Sequence, residues 1–528
     1  MRTAIAALMT GLALATTACT IAPAPAAPAT PEVAGTSAAV PAPLRLGQVP
    51  SQAGDASYDS AAAAVQARID ERGVKPAKNV ILFVGDGMSI PTVTAARIYA
   101  GQKRGLDGES YSLTMDTLPH VALSKTYSND FQVSDSASTA VAMVTGAKVN
   151  SRTLGVLKGA HFGNCASVQG NEAESIFVLA EREGLATGLV STARLTHATP
   201  AATYSHSPSR YWEADSDLKG GDTGDCQDIA RQLVEWSEGD GFEVAMAGGR
   251  EKFLTADEAD PEDESRTGNR TDGRDLTAEW VAKGPDHTYI TDQAGFDATD
   301  FASDVKVLGL FEPSHMQFEL DRARDVAGEP SLVALTRAAI TRLSQDPDGF
   351  VLMVEGGRID HAHHDVNAAR ALDETDTFDQ AIKAALDMTS NDDTLIIVTA
   401  DHAHTMTISG YPMRGNPILG KVNTGIEDGE MKGTDGKPYT TLSYANGQTG
   451  CHLEDGEPNC TRKDLSDVDT TDKDFLQPSL VPTHSETHGG DDVAIFATGP
   501  GSDLVSGVME QNEIFHVMGR ASGLVAAE

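Results

Sequence analysis

Residues 350–364 read FVLMVEGGRIDHAHH. Val351, Leu352, Met353 and Val354 form a short apolar run without polar alternation, the pattern of a strand covered on both faces in a parallel sheet. Where that run ends the chemistry changes: Glu355, two glycines, Arg358, then Asp360, His361, His363 and His364. Carboxylates and imidazoles crowded past a strand end are costly together unless a cation offsets them. A divalent metal does so, zinc suiting mixed oxygen and nitrogen donors and magnesium an all-oxygen set. Asp360 and His364 are four residues apart, so one helical turn aims both at one ion. A solvated polar loop is the alternative, and the density of ligand types argues against it.

Outward from this stretch, short apolar strands alternate with helices. Val80–Val84 is a buried strand with Asp86 in the glycine turn at its end, followed by a helix over Pro91–Ala100. Thr187–Ser191 is a strand, with His197 and Thr199 just past it and Arg210 in the polar loop beyond. Glu243–Gly249 and Val305–Phe311 are further strands. Helices span Ala61–Glu71, Glu174–Glu183, Leu332–Gln345, Ala368–Thr389 and Ile514–Ala521. Asp393–Ala400 is a buried strand ending in Asp401-His402-Ala403-His404, and Val493–Thr498 follows His488. This alternation predicts an α/β fold, a three-layer sandwich whose large, mostly parallel sheet is flanked by helices. In such sheets ligands collect outside the carboxyl ends of the strands, and at least four strand ends here carry metal-type ligands. Asp86 alone reads as a turn former, and Arg210 alone as a surface charge.

Asp135-Ser136-Ala137 opens a helix of small residues running to Thr145 and stopped at Gly146. Ser136 therefore sits where free N–H groups and the helix dipole favour an anion. A plain capping role is the commoner fate of a serine there. No GxSxG occurs, so a nucleophilic Ser136 needs a metal to activate it.

The remaining features bound the answer. The chain has 528 residues, with 40 Lys+Arg against 77 Asp+Glu and a formal net charge of −37. That balance argues against nucleic-acid binding, which needs a basic face. An anionic substrate must then be drawn in locally, by metals or arginine. Residues 1–19 read as a targeting segment, with Arg2 before an apolar run and small residues before Cys19. Cys19 resembles the lipidated cysteine of a bacterial lipoprotein signal, although Thr16 stands where leucine is usual; simple cleavage near Ala18 is the alternative. Either way the chain is expected to be exported, to the periplasm, to a lipid-anchored membrane location or as a secreted protein. Residues 20–57 are an Ala/Pro-rich linker that cannot form a core. The folded domain is expected over 58–409 and 484–528, with a Gly-, Asp- and Thr-rich insertion over 410–483. Cys451 and Cys460 flank a polar loop they could close, which would leave Cys165 and Cys226 as a pair; five unrelated thiols is the alternative.

Six stretches in order, VGDGM, DSASTA, THATPA, VEGGRIDHAHH, TADHAH and ETHGGDDVA, resemble the successive motifs of the alkaline phosphatases, from about residue 75 to the end. The version is similar to the animal and some marine bacterial branches, because His197 and His361 stand where the enteric form has Asp and Lys. The resemblance implies a metal-dependent phosphomonoesterase acting at alkaline pH with two zinc ions and one magnesium ion. Asp360, His364 and His488 would hold the first zinc, and Asp86, Asp401 and His402 the second. Asp86, Thr199 and Glu355 would hold magnesium, with His197 and His361 orienting nearby. Ser136 would attack in line to give a phosphoserine, and Arg210 would clamp two phosphate oxygens. Animal-type relatives also carry a calcium-like site, for which Glu262, the Phe311 carbonyl, Glu312 and Glu329 fall near the matching positions. The 410–483 insertion corresponds to the crown of the family, often at the interface of a homodimer. A phosphodiesterase or sulfatase of the same superfamily is the competing enzyme class. A surface-anchored metal-binding protein without catalysis is the third reading, and it leaves Ser136 and Arg210 without a role.

Overall fold

Ten strands make the central sheet: β1 (Asn79–Gly85), β2 (His120–Lys125), β3 (Ala186–Arg194), β4 (Val244–Gly248), β5 (His287–Ile290), β6 (Lys306–Leu310), β7 (Phe350–Gly356), β8 (Thr394–Ala400), β9 (Val493–Thr498) and β10 (Gly507–Glu510). Their order is β10-β2-β9-β8-β1-β7-β3-β4-β6-β5. Every neighbouring pair is parallel except those of β9, which runs antiparallel to both β2 and β8. The computed structural model describes residues 45, 47–219, 221–426, 429–450, 452–454, 457–459 and 461–526.

The strands read from apolar runs are the central ones, and their burial explains why: β1, β7 and β8 are buried at every position. The sequence reading passed over β2, β5 and β10, each partly exposed along its length, so none carries a continuous apolar run. Helices cover both faces, giving two large apolar clusters. One contains Leu82, Val141, Met353 and Phe515; the other contains Phe83, Leu352, Ile382 and Val398. Successive residues of one strand thus feed opposite cores.

Two boundaries differ from expectation. The first helix begins at Ala56, capped by the Asp55 side chain on the Ser57 N–H, five residues before the apolar spacing suggests. Residues 47–55 are also no loose linker. Gln48 pairs with the chain end, accepting from the Ala526 N–H at 2.9 Å, and the Ser51 N–H donates to Glu174 at 2.7 Å.

The 410–483 region carries a small sheet formed by Met406–Ile408, Leu442–Gly447 and Ser479–Pro482. Its apolar side chains, among them Ile418, Leu419 and Leu442, pack with Ala95, Ala96, Ala369 and Leu372. The insertion therefore sits on the helices Ile90–Lys103 and Ala368–Met388. Cys165 and Cys226 form a disulfide with Cα atoms 5.7 Å apart. Cys19, Cys451 and Cys460 lie outside the described residues. Among those residues no helix is long and apolar enough to cross a membrane.

Candidate metal centre and nucleophile

Strands β8, β1, β7 and β3 are consecutive neighbours and all parallel, so their carboxyl ends open on one edge. Adjacent strands lie about 4.8 Å apart, within reach of side chains bridged by one ion. Register completes the alignment: Gly85 pairs with both Gly356 and Ala400, which places Asp86 beside Asp401, and Ser191 pairs with Glu355. A glycine is needed at position 87. Its φ is +67°, and a Cβ there would stand 2.3 Å from the His404 ring. The same turn lets the Gly87 N–H donate to Asp401 at 2.9 Å.

Asp86, Glu355, Asp360 and Asp401 are all buried in this basin. Both oxygens of Asp86, Oδ2 of Asp401, Oε1 of Glu355 and the Thr199 hydroxyl have no hydrogen-bond partner. Burying ionised carboxylates without partners is strongly unfavourable. Accordingly burial, with Asp401, Asp360 and Glu355 nearby, raises the Asp86 pKa well above the carboxylate range. Burial likewise pushes Glu355 up to about 7, against the hydrogen bond from Ser191.

The imidazoles are oriented from behind. His364 Nδ1 donates to the Glu486 carbonyl at 2.6 Å, and His488 Nδ1 to the Ser134 carbonyl at 2.8 Å. Each neutral ring then has its lone pair on Nε2, and these two nitrogens face each other at 3.2 Å. Asp360 Oδ1 lies 3.3 Å from one and 3.5 Å from the other. A tetrahedral site with zinc–ligand bonds near 2.1 Å has ligand atoms about 3.4 Å apart, so the spacing fits. The second set has the same dimensions: His402 Nε2 is 3.4 Å from Asp86 Oδ1, 3.2 Å from Asp401 Oδ2 and 3.1 Å from Ser136 Oγ. Asp86, Thr199 and Glu355 contribute only oxygens, as magnesium requires, and His197 lies within ligand distance of Asp86 and Glu355.

Ser136 is the first residue of the helix Ser136–Thr145 and is almost fully buried. Asp135 caps that helix and anchors Arg210, whose Nη1 donates to it at 3.0 Å while Nη2 donates to His197 Nε2 at 3.0 Å. Burial opposes ionisation of Asp135. The Arg210 charge and the Arg152 N–H outweigh it and hold the carboxyl well below its usual range. One residue thus fixes the serine at the helix start and the guanidinium opposite it.

The "Alkaline phosphatase" family pattern matches residues 77–524. The chain belongs to the alkaline phosphatase family. It is 42% identical over 466 residues to the tissue-nonspecific alkaline phosphatase of Gallus gallus, covering 86% of each chain. It is 43% identical over 452 residues to the alkaline phosphatase of Gadus morhua, covering 84% of this chain and 92% of that one. Among solved structures it resembles the alkaline phosphatase of the Antarctic bacterium TAB5, with TM-score 0.57 and 25% identity over 85% of this chain and 99% of that one. This alkaline phosphatase is an enzyme of phosphomonoester hydrolysis, as the animal-type motifs imply.

Two basin residues have no role assigned from the sequence, although His404 is named there in the cluster that ends β8. His404 donates from Nε2 to Asp360 at 2.7 Å and from Nδ1 to Glu486 at 2.5 Å, so it has no lone pair for a metal. Burial opposes its charge, but those two carboxylates push its pKa up to about 10. Glu486 is buried two residues before His488. The signal for both was their position inside TADHAH and ETHGGDDVA; only the fold puts them side by side. His361 is half-buried against His315, their ring centroids 4.0 Å apart, and the His197 ring centroid lies 5.5 Å from that of His361.

Away from the basin, Glu262, Glu312 and Asp325 offer oxygens within 4.8 Å of one another, with Phe311 next to Glu312. Glu329, the carboxylate expected here, lies beside Glu312 and Asp325 with its buried Oε2 unpartnered. Glu329 Oε1 accepts from the Gln317 N–H at 3.0 Å, and burial beside Glu312 and Asp325 pushes its pKa up to about 9.

Proposed function

We propose that this enzyme cleaves small phosphomonoesters at alkaline pH through a phosphoserine on Ser136. In this reading Asp360, His364 and His488 hold one zinc ion, Asp86, Asp401 and His402 a second, and Asp86, Thr199 and Glu355 a magnesium ion. A mutant of the TAB5 enzyme with one histidine replaced by aspartate holds magnesium in its M3 site, which is consistent with a magnesium site in the family. When bound, such ions neutralise the attacking and leaving oxygens of an in-line displacement. The observation that carries the reading is the pair of imidazole Nε2 atoms facing each other at 3.2 Å beside Asp360, an arrangement that a shared cation accommodates.

The protein's own groups supply the rest. Arg210, steadied by Asp135 and His197, offers its guanidinium edge to two oxygens of the phosphoryl group. Ser136 Oγ, at the helix start, attacks phosphorus and the alcohol departs from the opposite side. Water then opens the phosphoserine and returns the serine. The buried basin excludes bulk solvent, which strengthens each of these interactions. Calcium at Glu262, Phe311, Glu312 and Glu329, with Asp325 beside them, export of the chain, lipid attachment at Cys19 and a homodimer through the crown-like insertion belong to the same proposal.

Turnover of 4-nitrophenyl phosphate, bis(4-nitrophenyl) phosphate and 4-nitrophenyl sulfate tests it. The monoester is expected to be fastest by orders of magnitude. Faster diester or sulfate turnover would replace this reading with a phosphodiesterase or sulfatase, which has less use for Arg210.

A further inference from the structure

We propose that Glu486 is a positioning residue that sets the geometry, and hence the affinity, of the cation site built from Asp360, His364 and His488. The inference rests on the two-zinc reading above and adds a residue outside the three ligands.

Glu486 is 1% exposed and both of its carboxylate oxygens are in use. Oε1 accepts from the Thr405 N–H at 2.7 Å and from the Thr405 hydroxyl at 2.5 Å. Oε2 accepts from His404 Nδ1 at 2.5 Å, and the far side of that imidazole grips Asp360 Oδ1 at 2.7 Å. The backbone of the same residue holds a second ligand: its carbonyl accepts from His364 Nδ1 at 2.6 Å, and its N–H donates to the His364 carbonyl at 3.0 Å. The chain then pairs His488 and Gly489 with His404 and Ala403 in a short antiparallel ladder. One residue therefore touches the backing of all three ligands, through a histidine, a carbonyl and a two-residue tether.

A structural alternative has less to offer. A buried carboxylate that only closed the insertion needs donors on both oxygens, and Thr405 serves Oε1 alone. The third bond runs through His404 to a metal ligand. Hydrogen-bonded carboxylates behind a coordinating group typically contribute 10–100-fold to metal affinity.

The test uses the full-length chain stripped of metal and titrated with zinc against a chromophoric chelator. The readouts are stepwise affinities, the visible spectrum after cobalt substitution, and circular dichroism. Glu486→Gln is expected to retain the native fold, to weaken one zinc site by about 10–100-fold and to leave the other unchanged. The cobalt spectrum should change in the weakened site alone, and excess zinc should restore turnover. Glu486→Asp should fall between the two. Unchanged affinities with lowered melting temperature would overturn the proposal in favour of a purely structural role. Should Glu486→Gln fail to fold, Thr405→Val decides, because it removes the hydroxyl bond to Oε1 while keeping the backbone N–H bond and the charge; unchanged affinity there also overturns it. Asp360→Asn separates the two levels of inference. If it abolishes one zinc site while Glu486→Gln alters none, only this proposal fails. If wild-type protein binds no zinc, the reading it rests on fails.

Discussion

Around Arg270 and Arg250 each fully buried carboxylate is answered by a guanidinium; around Asp86 the carboxylates face one another. Arg270 reaches both oxygens of Asp228 at 2.9 and 3.0 Å, and Arg250 both oxygens of Asp260 at 2.7 and 2.8 Å. All four side chains are buried. In the basin, Asp86, Asp401 and Glu355 are equally buried, yet each has at least one oxygen with no partner. Arg210, partly buried nearby, is committed to Asp135 and His197 and bonds none of these carboxylates. Fold energetics account for the first arrangement. The second makes sense only with cations in place, and a stability cost concentrated at one spot is the mark of a functional site.

The comparison yields experiments, strongest first. Replacing Ser136 by Ala is expected to lower turnover at least about a thousandfold while leaving zinc content intact. Acid quenching should trap phosphoprotein in the wild type and none in the variant; a trapped phosphoenzyme in Ser136→Ala would remove the serine from the chemistry. Arg270→Ala tests the paired region. It should cost roughly 3–5 kcal/mol of stability by stranding Asp228, read by urea unfolding, with turnover per folded molecule unchanged. A loss of turnover without loss of stability would erase the distinction between the two regions.

The third experiment is a pH profile of metal-stripped protein. Glu355 is raised to about 7 and Asp86 is raised in the same direction, both above their unfolded values. Their contribution to stability is fully present below the unfolded pKa near 4.5 and is lost as pH rises through the folded value. Metal-free protein should therefore weaken by on the order of a few kcal/mol between pH 5 and 8. Saturating zinc and magnesium should flatten the slope, and a flat profile without metal would contradict the reading of the basin. The smallest effect belongs to Arg210→Ala. Competitive inhibition by inorganic phosphate should weaken about 10–100-fold, the loss of one or two charge-assisted hydrogen bonds. Unchanged inhibition would leave Arg210 with Asp135 as its only role.

Much of the site was legible because metal ligands must be particular residue types just past apolar strands. Asp86, Glu355, Asp360, Asp401 and His402 each follow a run such as VILFV, VLMV or TLIIVT, and those runs are β1, β7 and β8. Thr199 and His197 were readable for the same reason past β3. Glu486 and His404 were not, because a residue that holds a ligand from behind has no required type or spacing. Asp325 was passed over because it lies in an irregular loop with no strand to count from. The edge strands β2, β5 and β10 lacked an apolar signature because water covers part of each.

The amino-acid sequence by itself determined which strands are central, where their ends lie and which chemistry waits there, because full burial on both sheet faces leaves an apolar record in consecutive residues. It also supplied the serine, the arginine and the family. Only the tertiary structure decided that β8, β1, β7 and β3 stand side by side, that two imidazole lone pairs meet, and that Glu486 returns from the insertion to grip them. Those are facts of strand order and register, made by contacts between residues as far as 354 positions apart, and no local pattern along the chain encodes them.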